Sequence, residues 1–183
     1  MCCDDYVRTG HADLWLSDNY LRCGLENILT KVSFGDNAIR YVFLTEHEYA
    51  EVINHNYNLR KSRIILLTDG SRFEFLDDLS VYQFPMKSSV EELHEFILSV
   101  VNQKGRRAAR KNRVLLTPRE RRLIDLIKQG KRMADMGDHL DLHIKTIYQT
   151  RRALIKKMGC SGAVDLLKKL RSEVFNNWLM ESH

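Results

Sequence analysis

The sequence changes character near residue 104, and that break decides what the chain can fold into. Before it, short apolar runs alternate with stretches of helical periodicity; after it, the apolar residues recur at helical spacing among cations. The charge follows the same division. Residues 1–103 hold nine Lys and Arg against sixteen Asp and Glu, a net −7, and residues 104–183 hold twenty against eight, a net +12. The overall +5 conceals an acidic half joined to a strongly basic one, the asymmetry expected when only one half meets a polyanion. A length of 183 residues suits two small domains.

In the acidic half, Asp13 to Asp18 reads as a short strand, and Asn19 to Val32 carries Leu21, Leu25, Ile28, Leu29 and Val32 at helical spacing. A second apolar run, Ile39 to Leu44, leads into Thr45-Glu46, a helix-start signal, and a weaker helix to His55. A third run, Arg63 to Leu67, ends at Thr68-Asp69-Gly70, and a fourth, Val81 to Phe84, stops at Pro85. Ser88 then opens a helix with Glu91 at its third position and Val90, Leu93, Phe96, Ile97, Val100 and Val101 as its stripe. Uninterrupted apolar runs are how strands buried on both faces read. The alternation therefore predicts a small doubly wound α/β domain over residues 1–103, with a parallel sheet of four strands.

Several function classes are disfavoured. No apolar run reaches the roughly 18 residues of a membrane span, and Met-Cys-Cys-Asp-Asp at the start is acidic where a signal peptide is positive, so a cytoplasmic protein is expected. The four cysteines (Cys2, Cys3, Cys23, Cys160) have no CxxC spacing and the seven histidines are scattered, which predicts free thiols, no metal and no cofactor. There is no GxSxG, no glycine-rich phosphate loop and no matched carboxylate pair, so neither an enzyme nor a small-molecule ligand is expected.

Residues 104–113 form a basic stretch without an apolar stripe, read as a linker that could run along phosphates. In residues 114–183, Thr117-Pro118-Arg119-Glu120 begins a helix with Thr as N-cap and Pro at the first position, Leu123, Ile124 and Ile127 form its stripe, and Gly130 ends it. A short helix from Arg132 to His139 buries Met133, Met136 and Leu140, and the turn Asp141-Leu142-His143 separates it from a third helix, Ile144 to Met158. That helix buries Ile147, Leu154, Ile155 and Met158 and turns Lys145, Tyr148, Gln149, Arg151, Arg152 and Lys156 outward. Cations for phosphates together with donor and acceptor tips for base edges are what a recognition helix in the major groove requires. Gly159 ends it, Ser161 is read as the cap of a fourth helix from Gly162 to Leu170, and Val174 to Met180 forms an apolar tail that either packs back or meets another subunit.

Between Leu116 and Leu167 the text resembles the LuxR-type helix-turn-helix of NarL/FixJ-class response regulators. The matching residues are Leu-Thr-Pro-Arg-Glu at 116–120, Gly130, Leu140, Lys145-Thr146-Ile147, Lys157-Met158-Gly159-Cys160 and Leu166-Leu167. The resemblance implies an all-α four-helix domain that binds double-stranded DNA. It implies base contacts from Tyr148, Gln149 and Arg152, phosphate contacts from Lys145, Thr146 and Lys156, and pairing of two subunits through Val164 and Leu167. His143, Thr150 and Met136-Gly137 depart from the family's usual capping Ser, His and Ile-Ala.

The acidic half resembles a receiver domain in placing Thr68 and Lys87 where a receiver has its phosphate-sensing hydroxyl and lysine. A receiver needs an Asp at the end of its third strand and carboxylates after its first to hold Mg²⁺. Thr45 stands at the Asp position, Asp18 alone follows the first strand, and Glu46 and Glu48 read as a helix N-terminus. The segment before Ile39 is too short for a second strand and helix, so the domain reads as truncated, with no phosphoacceptor. Such a degenerate receiver resembles those of enterobacterial auxiliary regulators of the Rcs group, which implies a regulator independent of phosphorylation, working as a homodimer or as a heterodimer with a related regulator.

Overall fold

The computed structural model describes residues 7–35, 38–70, 72–76, 81–103 and 114–181. The chain divides into two compact units, residues 1–72 with 78–109 and residues 73–77 with 110–183. The stretch expected as a linker, 104–113, lies outside the described residues, as do Cys2 and Cys3.

The first unit is a five-stranded sheet in the order β1-β2-β3-β4-β5, made of β1 (Val7–Thr9), β2 (Ala12–Trp15), β3 (Arg40–Thr45), β4 (Ser62–Thr68) and β5 (Tyr82–Pro85). β2 to β5 are parallel, as the apolar runs predict, but β1 is a fifth strand that pairs antiparallel with β2, Val7 opposite Leu14 and Thr9 opposite Ala12. The tight return at Gly10, whose φ is +35°, makes this hairpin. The sheet is therefore mostly parallel, and the edge of the truncated domain is closed by its own N-terminal segment. Three residues are too few to show the period-2 alternation that announces a strand.

Helices α1 (Asn19–Thr30), α2 (Tyr49–Asn54) and α3 (Val90–Asn102) accompany the sheet. On one face, Leu14, Leu16, Tyr41, Phe43, Ile65, Leu67 and Phe84 pack with Leu25, Ile28 and Leu29 of α1 and Ile97 and Val100 of α3. Asp18 caps α1, accepting from the amides of Tyr20 at 2.8 Å and Leu21 at 3.2 Å. The cap of α3 is Ser89, not Ser88, in a reciprocal capping box with Glu92. On β2, Asp13 has no exposed surface; its carboxylate accepts from Arg40 at 2.7 Å and from the Tyr57 hydroxyl at 2.9 Å, and that hydroxyl accepts from Trp15 Nε1 at 2.9 Å. A buried carboxylate is tolerated only when its lone pairs are met in this way.

The second unit contains α4 (Pro118–Lys128), α5 (Met133–Leu140), α6 (Ile144–Lys157), α7 (Ala163–Arg171) and α8 (Glu173–Glu181). The four expected helices are α4 to α7; the segment expected as an apolar tail adds a fifth, α8, with Val174, Phe175 and Trp178 buried. Phe75, in the 3₁₀ turn Glu74–Leu76 assigned to this unit, packs tilted against Trp178 at 4.9 Å and edge-to-face against Phe175 at 5.6 Å between centroids. Ser161 does not cap α7, whose N-cap is Gly162; its amide and hydroxyl donate to Asp165 instead. No helix of the described residues is long and apolar enough to cross a membrane.

At the start of α4, Glu120 completes the capping box with Thr117 and also receives Lys157 Nζ from the end of α6, at 2.6 and 2.8 Å. Burial pushes the Glu120 carboxyl up, but the hydrogen bonds from Lys157 and Thr117 and the Lys157 charge outweigh it and hold the group below its ordinary 4.5. A depressed folded-state pKa contributes stability that is complete above the unfolded value and lost as pH falls through the folded one. The melting-temperature gap between the natural protein and Glu120→Gln should therefore be widest near neutral pH and should close as pH falls below 4.5. Trp178→Ala should cost about 3–5 kcal/mol in urea unfolding of the second unit, the usual range for emptying a buried aromatic site.

Candidate nucleic-acid interface

Ile147 and Leu154 of α6 and its C-cap Met158 have no exposed surface. Their spacing of seven and four residues draws one stripe down the helix, which anchors it in the helical unit. The opposite side carries Lys145, Tyr148, Gln149, Arg152 and Lys156, all exposed, with Tyr148 at 56%. Each of the five stands three or four residues from another of them, so they form a continuous row on one face. Thr146 and Arg151, also expected at DNA, lie at its margins and are half-buried. Arg151 leans toward α5, with Nη1 3.5 Å from the Met133 sulfur. Tyr148, Gln149, Arg151 and Arg152 line one shallow surface pocket with Ile155 and Ala163. Ile155, expected in the core, is half-buried at that edge.

The neighbouring elements fix this helix at both ends. Asp141, at φ +50°, turns the chain out of α5, and a Cβ on Gly137 would lie 2.8 Å from the Leu142 carbonyl oxygen, so the short turn closes only over a glycine. His143 is the N-cap of α6 but its side chain makes no capping bond. That leaves the first-turn amides without a side-chain cap at the end where a helix attracts phosphate. At the other end Gly159 has φ +60°, and Lys169 of α7, only 3% exposed, donates to the carbonyls of Met158 at 3.4 Å and Gly159 at 3.1 Å. Neither Lys157 nor Lys169 was singled out by the sequence as holding the helix, because each sits in a Lys-Lys pair that reads as solvated surface.

On α7, Leu166 and Leu170 are buried, whereas Val164 is 84% exposed and Leu167 is half-buried. Both border a hollow lined by Ile127, Met133 and Met136.

In the first unit, Thr45 ends β3, Thr68 ends β4 and Lys87 follows β5. Lys87 Nζ lies 3.9 Å from the Asp69 carboxylate, with both side chains well exposed. Asp18 is occupied in capping α1. Glu48 is the N-cap residue of α2, as its place at a helix start predicts, but its side chain makes no capping bond; its carboxylate, 7% exposed, turns back to the strand ends. One oxygen accepts from the Ser17 amide at 3.2 Å, the other from the Thr45 amide at 3.3 Å and from the Thr45 hydroxyl. Burial raises the Glu48 carboxyl, but the bonds from Thr45 and Ser17 outweigh it and hold the group below its ordinary value. Glu46 is also drawn away from the helix, accepting from the Asp69 amide at 3.0 Å. Among the described residues no group of three His, Cys, Asp or Glu could hold a metal ion.

No family model and no curated protein matches the chain. Among solved structures, the two-component response regulator RcsB in complex with DNA aligns over 88% of this chain and 82% of its own, at 16% identity and a TM-score of 0.54. Full-length FixJ from B. japonicum aligns over 88% and 96% at 16% identity, with a TM-score of 0.35. The likeness to the RcsB chain is one of fold: this protein has the two-domain architecture of a response regulator, an α/β receiver-like unit with a mostly parallel sheet followed by a helical helix-turn-helix unit.

Proposed function

We propose that the protein is a sequence-specific, DNA-binding transcription regulator of the LuxR type that works as a dimer and without phosphorylation. The observation that carries this reading is the exposed row Lys145, Tyr148, Gln149, Arg152 and Lys156 on a helix anchored from its other side by the buried Ile147 and Leu154. α6 enters the major groove; Tyr148, Gln149 and Arg152 meet base edges, and Lys145, Thr146 and Lys156 meet phosphates. Arg151, leaning on Met133, stands behind this row and approaches DNA from its margin. The solved RcsB structure, a complex with DNA, supports the same assignment by fold. The domains of this reading are residues 1–103 for interaction, 104–113 as a linker and 114–183 for DNA, with the 3₁₀ turn Glu74–Leu76 packed in the last.

Dimer formation is assigned to the Val164 and Leu167 side of α7, where an apolar side chain stands almost fully exposed. The same surface suits a second reading, a co-regulator that pairs with a related regulator, and mixing experiments with such a regulator separate the two. Independence from phosphorylation rests on Thr45, which cannot form an acyl phosphate, and on Asp18, whose carboxylate is committed to α1.

Selection of bound DNA from a random duplex library, with and without acetyl phosphate, tests the whole reading. A shared palindromic motif unchanged by acetyl phosphate is the expected outcome; absence of any enrichment overturns autonomous DNA reading. On the selected duplex, Arg152→Ala should cost about 1–3 kcal/mol and relax specificity at one base pair. Lys156→Ala should weaken all sequences alike and reduce the salt slope by about one, as seen in binding isotherms at several salt concentrations.

A further inference from the structure

We propose that the carboxyl edge of the sheet holds a small-oxyanion site whose occupant is the chain's own Glu48 carboxylate. Its donors belong to two strand ends and not to a helix terminus: the Ser17 amide follows β2, and the Thr45 amide and hydroxyl close β3. Parallel α/β sheets bind their ligands beyond the carboxyl ends of the strands. Here a side chain three residues after Thr45 returns to fill that place, with each of its two oxygens accepting from a different strand end.

Burying a carboxylate to 7% exposure is unfavourable unless donors replace the lost water, and the three donors do so. The other charged groups at this edge have partners of their own. Asp18 caps α1, Glu46 accepts from the Asp69 amide, and Lys87 lies toward Asp69. Glu48 thus supplies permanently the negative charge that converging strand-end donors would otherwise offer to an external anion. The inference deepens the phosphate-independent part of the proposed function, and because its test uses no DNA, its failure is distinct from failure of DNA reading.

The test is anion rescue in the full-length protein. Glu48→Ala removes the carboxylate and leaves the donors, and it should lower the melting temperature by on the order of 5 °C. Sodium formate, compared with sodium chloride at equal ionic strength, should then restore the variant progressively, as a ligand that binds only the folded state does. The natural protein should gain nothing from formate beyond the chloride control. Val52→Ala, which weakens buried packing on α2 without opening the cradle, serves as a destabilised control and should also gain nothing. Equal responses of Glu48→Ala and Val52→Ala to formate would overturn the proposal.

If Glu48→Ala does not fold, Glu48→Gln keeps the shape and removes the charge. Amide exchange at Ser17 and Thr45, followed by NMR, should then speed up at least several-fold relative to the natural protein. Unchanged exchange at both amides would show that no anion is held there.

Discussion

A helix that leaves one side to solvent has only its other side with which to hold its place. In α6 that side is Ile147 and Leu154, continued by the C-cap Met158, all three buried, and the rest of the helical unit is arranged to keep it so. The glycine at 137 lets α5 and the turn after it come close enough to cover the start of the stripe. Lys157, tied to Glu120 of α4, and Lys169, reaching from α7 to the last carbonyls, hold its end. Each bond alone is modest, since an exposed ion pair contributes little. The Glu120 and Lys169 ends are buried, however, and a buried polar group left without its partner is costly. Misplacing α6 therefore carries a penalty at its carboxyl end.

The first unit solves a related problem at its sheet. A parallel sheet directs strand-end amides toward one edge, where ligands commonly bind, and in this chain Glu48 fills part of that edge from within. On one lateral side of the sheet β1 pairs with the flank of β2 that would otherwise be open. An unpaired edge strand invites association with other chains, and three residues of antiparallel pairing blunt it. Asp13, buried against Arg40 and Tyr57, holds the start of β2 to the start of β3 and to the segment after α2.

Much of this was legible in the sequence wherever the signal is local and periodic. The four parallel strands, the cap at Thr117, the breaks at Gly130 and Gly159 and the extent of α6 all follow from apolar spacing and end chemistry. Spacing alone does not separate Ser88 from Ser89 as the cap of α3, because the two are adjacent and both have a glutamate three residues on. β1 is too short to show a period, and α8 follows α7 after the single residue Ser172, so its apolar residues read as a tail without a place.

The sequence by itself determined the two-part architecture and the cationic face of α6, because strand and helix periods and the position of charges along a helix are properties of neighbouring residues. The tertiary structure alone decided which charged residues leave the surface. Glu48, Glu120, Asp13 and Lys169 look in the sequence like ordinary solvated groups, yet each is buried on partners at least three and as many as 44 residues away. Whether a charge stays in water or enters the fold depends on the donors and acceptors that meet it there, and those meetings are fixed only when the elements pack.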